Sequence, residues 1–240
     1  MKIIRSKNPP LVTIVCCLHG DEVFGLDVFS FFDSHRDRYP RVKLILANET
    51  AIKNGARYVD QDLNRSFPGT PGGNLEQRLA RELLAEAAES RFVLDIHTTT
   101  SDIVMTPIVT AMNSDILKVL NLCASGEIAF VHPAIGSRAL IAHVPGGVSL
   151  EFGVHYSKSA EALRRVVKIV EALLADRTAP RQRRDVFHVT TVIPKTVALP
   201  AGTGNFGFMP ELGLFPFLLN EKSYPDLHAL GASRKETVVL

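Results

Sequence analysis

His19-Gly-Asp-Glu22 closes the apolar run Leu11 to Leu18, and His97 closes a second one, Phe92-Val-Leu-Asp-Ile-His97. Two imidazoles and a carboxylate are metal-ligand types. Three protein ligands leave a fourth position free, which is the zinc arrangement of catalytic rather than structural sites. Taken alone, His-x-x-Glu is short and common, and a helix N-terminus would favour Glu22 through its dipole. His97 strengthens the metal reading because it ends another strand. Asp95 lies two residues earlier on the same strand face, where it could accept a hydrogen bond from the His97 ring and fix its tautomer. The other reading of Asp95 and His97 is a satisfied polar pair at a strand end.

Two further segments carry candidate chemistry. Asn54 to Gly69 holds Arg57, Asp62, Asn64 and Arg65 among Gly and Pro punctuation. An exposed polar loop is one reading. A planar guanidinium also suits two-pronged binding of a carboxylate, or stabilisation of a developing oxyanion. Glu151 follows Val148-Ser-Leu150 at another strand end, where a carboxylate could act as general base toward metal-bound water. Ser101 and Ser149 lack a Gly-x-Ser-x-Gly elbow, and Cys16 and Cys17 sit at no evident catalytic turn, which makes a serine or cysteine nucleophile the weaker alternative.

The elements that must position these groups alternate in type. Strand patterns cover 11–18, 42–47 and 92–96, and helical patterns cover 22–32, 75–89, 114–125 and 159–175. Such alternation predicts a partly parallel α/β sheet, with its ligand crevice outside the carboxyl ends of the strands. After Asp176 the character changes. The segment 177–185 is polar and contains Pro180, and from Val186 onward Val, Thr, Phe, Gly and Pro predict short strands and turns. The expected organisation is an α/β domain over 1–176 and a small β-rich C-terminal domain over 186–240.

Composition narrows the class. With 240 residues, 46% hydrophobic and 22% charged, the chain can bury a sizeable core. A net charge of +2 without a long basic run argues against a nucleic-acid partner, and the 181–184 basic patch reads as a solvated linker. No stretch approaches the ~20 apolar residues of a membrane span, and Met1 to Ser6 is too short and polar for a secretory signal. Three cysteines, two of them adjacent, make neither a disulfide framework nor a Cys-x-x-Cys zinc site, so a reducing, cytoplasmic location is expected.

Taken in order, His19-Gly-Asp-Glu22, Asp62-Leu-Asn64-Arg65, Asp95-Ile-His97-Thr-Thr-Thr-Ser101 and Glu151-Phe-Gly153 resemble the aspartoacylase/succinylglutamate desuccinylase family, a branch of the zinc carboxypeptidase-like hydrolases. The stretch from Arg57 to Arg65 is especially similar to the aspartoacylase version. By motif the resemblance covers residues 11–156, and more weakly the β-rich tail. It implies a zinc carboxypeptidase-like mixed sheet flanked by helices, and a single Zn2+ per chain held by His19, Glu22 and His97. It further implies Glu151 as catalytic base, Arg57 polarising the scissile carbonyl, and Asn64 and Arg65 holding a substrate carboxylate. Arg138 is expected as a second carboxylate-binding arginine. Tyr224 resembles a tyrosine that the family's C-terminal domain brings to the site, an ordinary packing tyrosine being its other reading. The implied reaction is hydrolysis of the amide bond of a small N-acyl amino acid. The alternatives are a metallo-carboxypeptidase, a deacylase of a larger acylated molecule, or a non-catalytic relative that only binds its ligand. A homo-oligomer is left open.

Overall fold

In the computed structural model, which describes residues 1–240, ten strands pair into one mixed sheet. They are β1 (Lys2–Ile4), β2 (Val12–Cys16), β3 (Val42–Leu46), β4 (Phe92–Thr99), β5 (Met105–Val109), β6 (Glu127–Val131), β7 (Gly147–Gly153), β8 (Arg183–Pro194), β9 (Phe215–Phe217) and β10 (Leu227–Val239). Their spatial order is β1-β3-β2-β4-β7-β5-β6-β8-β10-β9. The block β3-β2-β4-β7 is parallel, while β5 runs antiparallel to β7. Seven helices connect the strands: α1 (Phe24–Ser34), α2 (Glu49–Asn54), α3 (Leu75–Ala87), α4 (Ser114–Cys123), α5 (Pro133–Gly136), α6 (Val154–Ser157) and α7 (Ala160–Leu174). None is long and apolar enough to cross a membrane.

The two-residue period of a strand sorts the side chains. Val12, Ile14 and Cys16 of β2, Phe92, Leu94 and Ile96 of β4, and Val148, Leu150 and Phe152 of β7 join the main core with Phe32, Leu120 and Val170 of α1, α4 and α7. The intervening positions face the other side. There Val15 and Val93 pack on Leu79 and Leu83 of α3, and Asp95, His97, Ser149 and Glu151 share that face. The parallel register sets Asp95 beside Ser149 and His97 beside Glu151. One packed layer on the far face therefore fixes the height of every polar group at these strand ends.

The predicted elements recur with instructive differences. The first strand stops at Cys16 rather than Leu18, because Cys17 turns into the left-handed region at φ 55°. That conformation costs a non-glycine residue of order 1–3 kcal/mol and is concentrated at functional sites. Strands β5 and β6 are absent from the sequence reading; Pro107 inside Met105–Val109 breaks a strand signature. The tail is built from long strands rather than short ones, 12 residues in β8 and 13 in β10. Outward charged residues such as Lys235 and Glu236, paired across to Phe187 and Val186, conceal its alternation. The basic patch at 181–184 is not all solvated linker, since Arg184 lies inside β8 and is buried. Because β8 pairs in parallel with β6, residues 186–240 extend the main sheet, and they add an apolar cluster of their own around Phe187, Val189, Phe217 and Ala232.

Candidate active site

The turn after Cys17 swings His19 off the end of β2 onto the backbone of α2. A Cβ on Gly20 would stand 2.3 Å from the Ala51 carbonyl carbon, so only glycine fits, and Gly20 N donates to Arg57 O at 3.0 Å. This approach seats His19 and carries Arg57 into its neighbourhood. Glu22 follows within one turn, and its Oε2 accepts from Thr98 N at 3.0 Å at the end of β4.

His19 Nδ1 lies 2.6 Å from Glu22 Oε1, and His97 Nδ1 lies 3.0 Å from Glu22 Oε2. One ligand atom from each of the three residues falls within 4.8 Å of the others, and all three side chains are buried. The far nitrogens are held in the same way: His19 Nε2 is 3.0 Å from Asp62 Oδ1, and His97 Nε2 is 2.8 Å from Asp95 Oδ2. Asp62 is itself fixed by Asn64 N, and Asp95 by the Ser149 hydroxyl. Two imidazoles oriented by carboxylates around a third carboxylate form the donor set a zinc-type ion takes, down to the outer partners that hold the rings. The residues fit such an ion.

The electrostatics agree. Burial opposes protonation of His19 and His97, yet Glu22 together with Asp62 or Asp95 outweighs it and raises both above the ordinary histidine value. Burial likewise opposes ionisation of Glu22, but the two imidazoles hold it well below the usual carboxylate range. Since ligand imidazoles must be neutral, loading a cation here releases protons. Burial pushes Glu151 up to about 8, with Glu22 and Glu221 adding to the shift and the imidazoles opposing it. A divalent cation within reach acts in the same sense as the imidazoles and favours the ionised form.

These groups open into a cavity whose lining includes His19, Glu22, Arg57, Asn64, Arg65, His97, Glu151 and Tyr224. Arg57 spans the cluster, donating to Glu22 Oε1 at 3.2 Å, Asp62 Oδ2 at 3.3 Å and the Ser223 hydroxyl at 3.1 Å. Arg65 donates to the Tyr224 hydroxyl at 2.8 Å and to Asn64 O at 2.9 Å. Asn64 accepts from Leu140 N at 3.0 Å. Arg138 is the exception. At the end of α5 and in the turn after it, Gly136 and Ala139 face inward while Ser137 and Arg138 face solvent, so the Arg138 side chain is exposed and stays outside the cavity; only its carbonyl is engaged, by Phe67 N.

Two carboxylates that the sequence reading passed over hold this arrangement together. Glu76, fully buried in the first turn of α3, accepts from Asn48 Nδ2, Val59 N, Asp60 N and Gln61 N at 2.8–3.3 Å. It pins the loop that carries Arg57 and Asp62. Glu76→Ala is expected to cost at least about 3 kcal/mol by leaving several buried donors unmatched, measured by denaturant unfolding. A loss under about 0.5 kcal/mol, the scale of an ordinary surface change, would contradict it.

Glu221 accepts from the Thr99 hydroxyl, Thr100 N at 2.7 Å and Ser223 N at 2.9 Å, tying the C-terminal segment to the end of β4. It thereby sets Ser223 against Arg57 and Tyr224 against Arg65. Burial works to raise Glu221, but the bonds from Thr99, Ser223 and Thr100 bring it below the ordinary value. A depressed carboxylate stabilises the fold above its unfolded pKa of about 4.3, and that contribution is lost as pH falls through the folded value. The protection factor of the 218–224 amides, the intrinsic exchange rate divided by the observed rate at the same pH, should therefore fall below about pH 4.3 in the wild type. In Glu221→Gln the protection factor should be low throughout and show no such step, and a wild-type protection factor that stays constant across about pH 4.3 would overturn the assignment.

Residues 8–177 match the succinylglutamate desuccinylase/aspartoacylase catalytic domain. The chain belongs to the succinylglutamate desuccinylase/aspartoacylase family. The N-acyl-aromatic-L-amino acid amidohydrolase (carboxylate-forming) of Xenopus tropicalis is 31% identical over 107 residues, covering 38% of this chain and 34% of that protein, so the match spans about a third of the relative's length. The crystal structure of murine aminoacylase 3 superposes with a TM-score of 0.73 at 20% identity, over 98% of both chains. The succinylglutamate desuccinylase from Chromobacterium violaceum gives 0.69 at 20% identity, over 98% of this chain and 86% of that one. At such identities the two structures show the succinylglutamate desuccinylase/aspartoacylase fold, a mixed sheet flanked by helices and extended by C-terminal strands.

Proposed function

We propose that this protein is a zinc-dependent amidohydrolase that converts an N-acyl amino acid and water into a carboxylate and a free amino acid. The observation that carries the reading is the meeting of His19, Glu22 and His97 with Glu151 in one cavity that also holds Arg57 and Arg65. Relatives named for amide hydrolysis of N-acyl amino acids and for desuccinylation support the reaction class.

His19, Glu22 and His97 would hold the ion, which supplies Lewis acidity toward a carbonyl oxygen and acidifies water at neutral pH. The remaining work falls to the chain. Glu151, beside His97 in the register, takes the proton of the attacking water as its oxygen bonds to the amide carbon, then delivers that proton to the nitrogen as the C–N bond breaks. Arg57 is held protonated, because Glu22 and Asp62 outweigh the burial that would lower its pKa, and it donates to the carbonyl oxygen as negative charge develops there. Arg65 and Tyr224 bind the substrate carboxylate, with Asn64 setting the edge of that subsite.

The test is a hydrolysis assay on metal-loaded protein with N-acyl amino acids, run beside Arg65→Ala. Losing a charge-assisted hydrogen bond of about 1.5–3 kcal/mol raises KM roughly 10–100-fold with kcat little changed. If Arg65→Ala leaves KM and kcat at wild-type values, the carboxylate subsite lies elsewhere.

A further inference from the structure

The cavity reaches well past the cluster, and its chemistry changes abruptly on the way. Beyond Glu151 the sheet continues into β5, where Ile108 stands in register with Ser149. From there the wall is Ile108, Val131, Ile135, Ile141, Leu218 and Leu230, contributed by β5, β6, α5, the turn after it, the segment after β9, and β10. Gly136 keeps this sector open: a Cβ there would meet Val131 Cγ1 at 2.9 Å and Thr110 Cγ2 at 3.2 Å. Arg57 and Arg65 are the lysine- or arginine-type cations in the lining, and both lie on the cluster side. Arg57 already faces Glu22 and Asp62, and Arg65 is paired with Tyr224. The acidic groups of the lining are Glu22, Glu151 and Glu221. A second substrate carboxylate placed at the apolar wall would lose its water, find no cation and meet like charge. An aliphatic or aromatic group of the same size gains by burial.

We infer that the substrate carries one carboxylate, bound at Arg65, and an uncharged apolar arm that fills the Ile108–Ile141–Leu230 sector. The protein thus takes N-acyl monocarboxylic amino acids with an apolar side chain or an apolar acyl chain in preference to N-acyl derivatives of dicarboxylic amino acids. This rests on the deacylase reading above and narrows its substrate class.

The experiment uses zinc-loaded protein and four compounds: N-acetyl-L-phenylalanine, N-hexanoylglycine, N-acetyl-L-aspartate and N-succinyl-L-glutamate. Turnover is measured on the wild type and binding by calorimetry on Glu151→Gln. At least one of the first two should exceed both dicarboxylates by about 100-fold in kcat/KM, the scale on which an apolar pocket and an unpaired charge discriminate, and binding should rank the same way. A lead for N-acetyl-L-phenylalanine places the amino-acid side chain in the sector, and a lead for N-hexanoylglycine places the acyl chain there. Ile135→Arg, at a half-buried position, should lower the apolar rate at least about tenfold and raise the dicarboxylate rate. Preference of the wild type for a dicarboxylate overturns the inference and leaves the deacylase reading intact. Selective binding of the apolar compounds without turnover of any compound overturns the deacylase reading and leaves the apolar sector standing. Neither binding nor turnover of any compound overturns both.

Discussion

His97→Ala is expected to yield a protein that neither keeps a metal ion nor hydrolyses an N-acyl amino acid. His97 supplies one of three donors, and its Nδ1 stands 3.0 Å from Glu22 Oε2. Loss of a mere outer partner of a ligand costs about 10–100-fold in metal affinity, and loss of a ligand exceeds that. The substitution also strips Asp95, a fully buried carboxylate, of its 2.8 Å partner, so the fold must be checked by circular dichroism. Asp62→Asn provides the milder companion. It keeps the volume and the Asn64 turn, turns the outer partner of His19 from a carboxylate into an amide, and should weaken metal binding by about 10–100-fold in a folded protein. Metal content by mass spectrometry on both variants decides the matter. Full occupancy in folded His97→Ala would remove His97 from the ligand set.

The second large effect is that of Glu151→Gln. The amide keeps the shape of the side chain and removes its capacity to carry a proton. Metal content should stay at the wild-type level while kcat falls by about 10²–10⁴, the usual contribution of a positioned acid–base group, with KM close to the wild-type value. Stability should move in a different direction from activity. In metal-free protein burial raises the folded Glu151 carboxyl to about 8, whereas an unfolded glutamate titrates near 4.3. A raised carboxyl contributes stability that is complete below the unfolded pKa and is lost progressively as pH rises toward the folded one. The melting temperature of metal-free wild type should therefore drop relative to Glu151→Gln between about pH 5 and pH 8. Equal melting profiles would show that the folded carboxyl is not raised, and an unchanged kcat would show that Glu151 is not the proton carrier.

Much of the site was legible because it is local in sequence. His19 and Glu22 share a strand-end turn, Asp95 and His97 share one strand face, and Arg57 to Arg65 occupy one loop. A two-residue period and the position of strand ends are enough to place such groups near a common crevice. What was not legible is long-range. Glu221 reaches Thr99 across 122 residues, and Glu76 reaches back 15–17 residues to the backbone of the Arg57 loop. Nothing in a helix-opening Glu or an Asn-Glu-Lys turn signals that its carboxylate will be buried. The weak readable signal for Glu221 is Tyr224 three residues on, whose resemblance to a site tyrosine carries no sign of the carboxylate that anchors its turn. Arg138 shows the converse. The family resemblance implied that it points inward, but the end of α5 and the turn after it give the inward places to Gly136 and Ala139. The apolar sector was hidden for the same reason as β5: Pro107 breaks the signature of a strand whose Ile108 faces the cavity.

The most direct measurement is metal stoichiometry in purified wild type, before and after chelation and after zinc is returned, with hydrolysis of N-acyl amino acids followed in the same samples. The account predicts about one zinc per chain, the occupancy of a single site with three protein ligands, with activity lost on chelation and regained on return of the metal. Folded wild-type protein that binds no divalent ion at micromolar zinc, or that hydrolyses its substrate equally well without one, would contradict it.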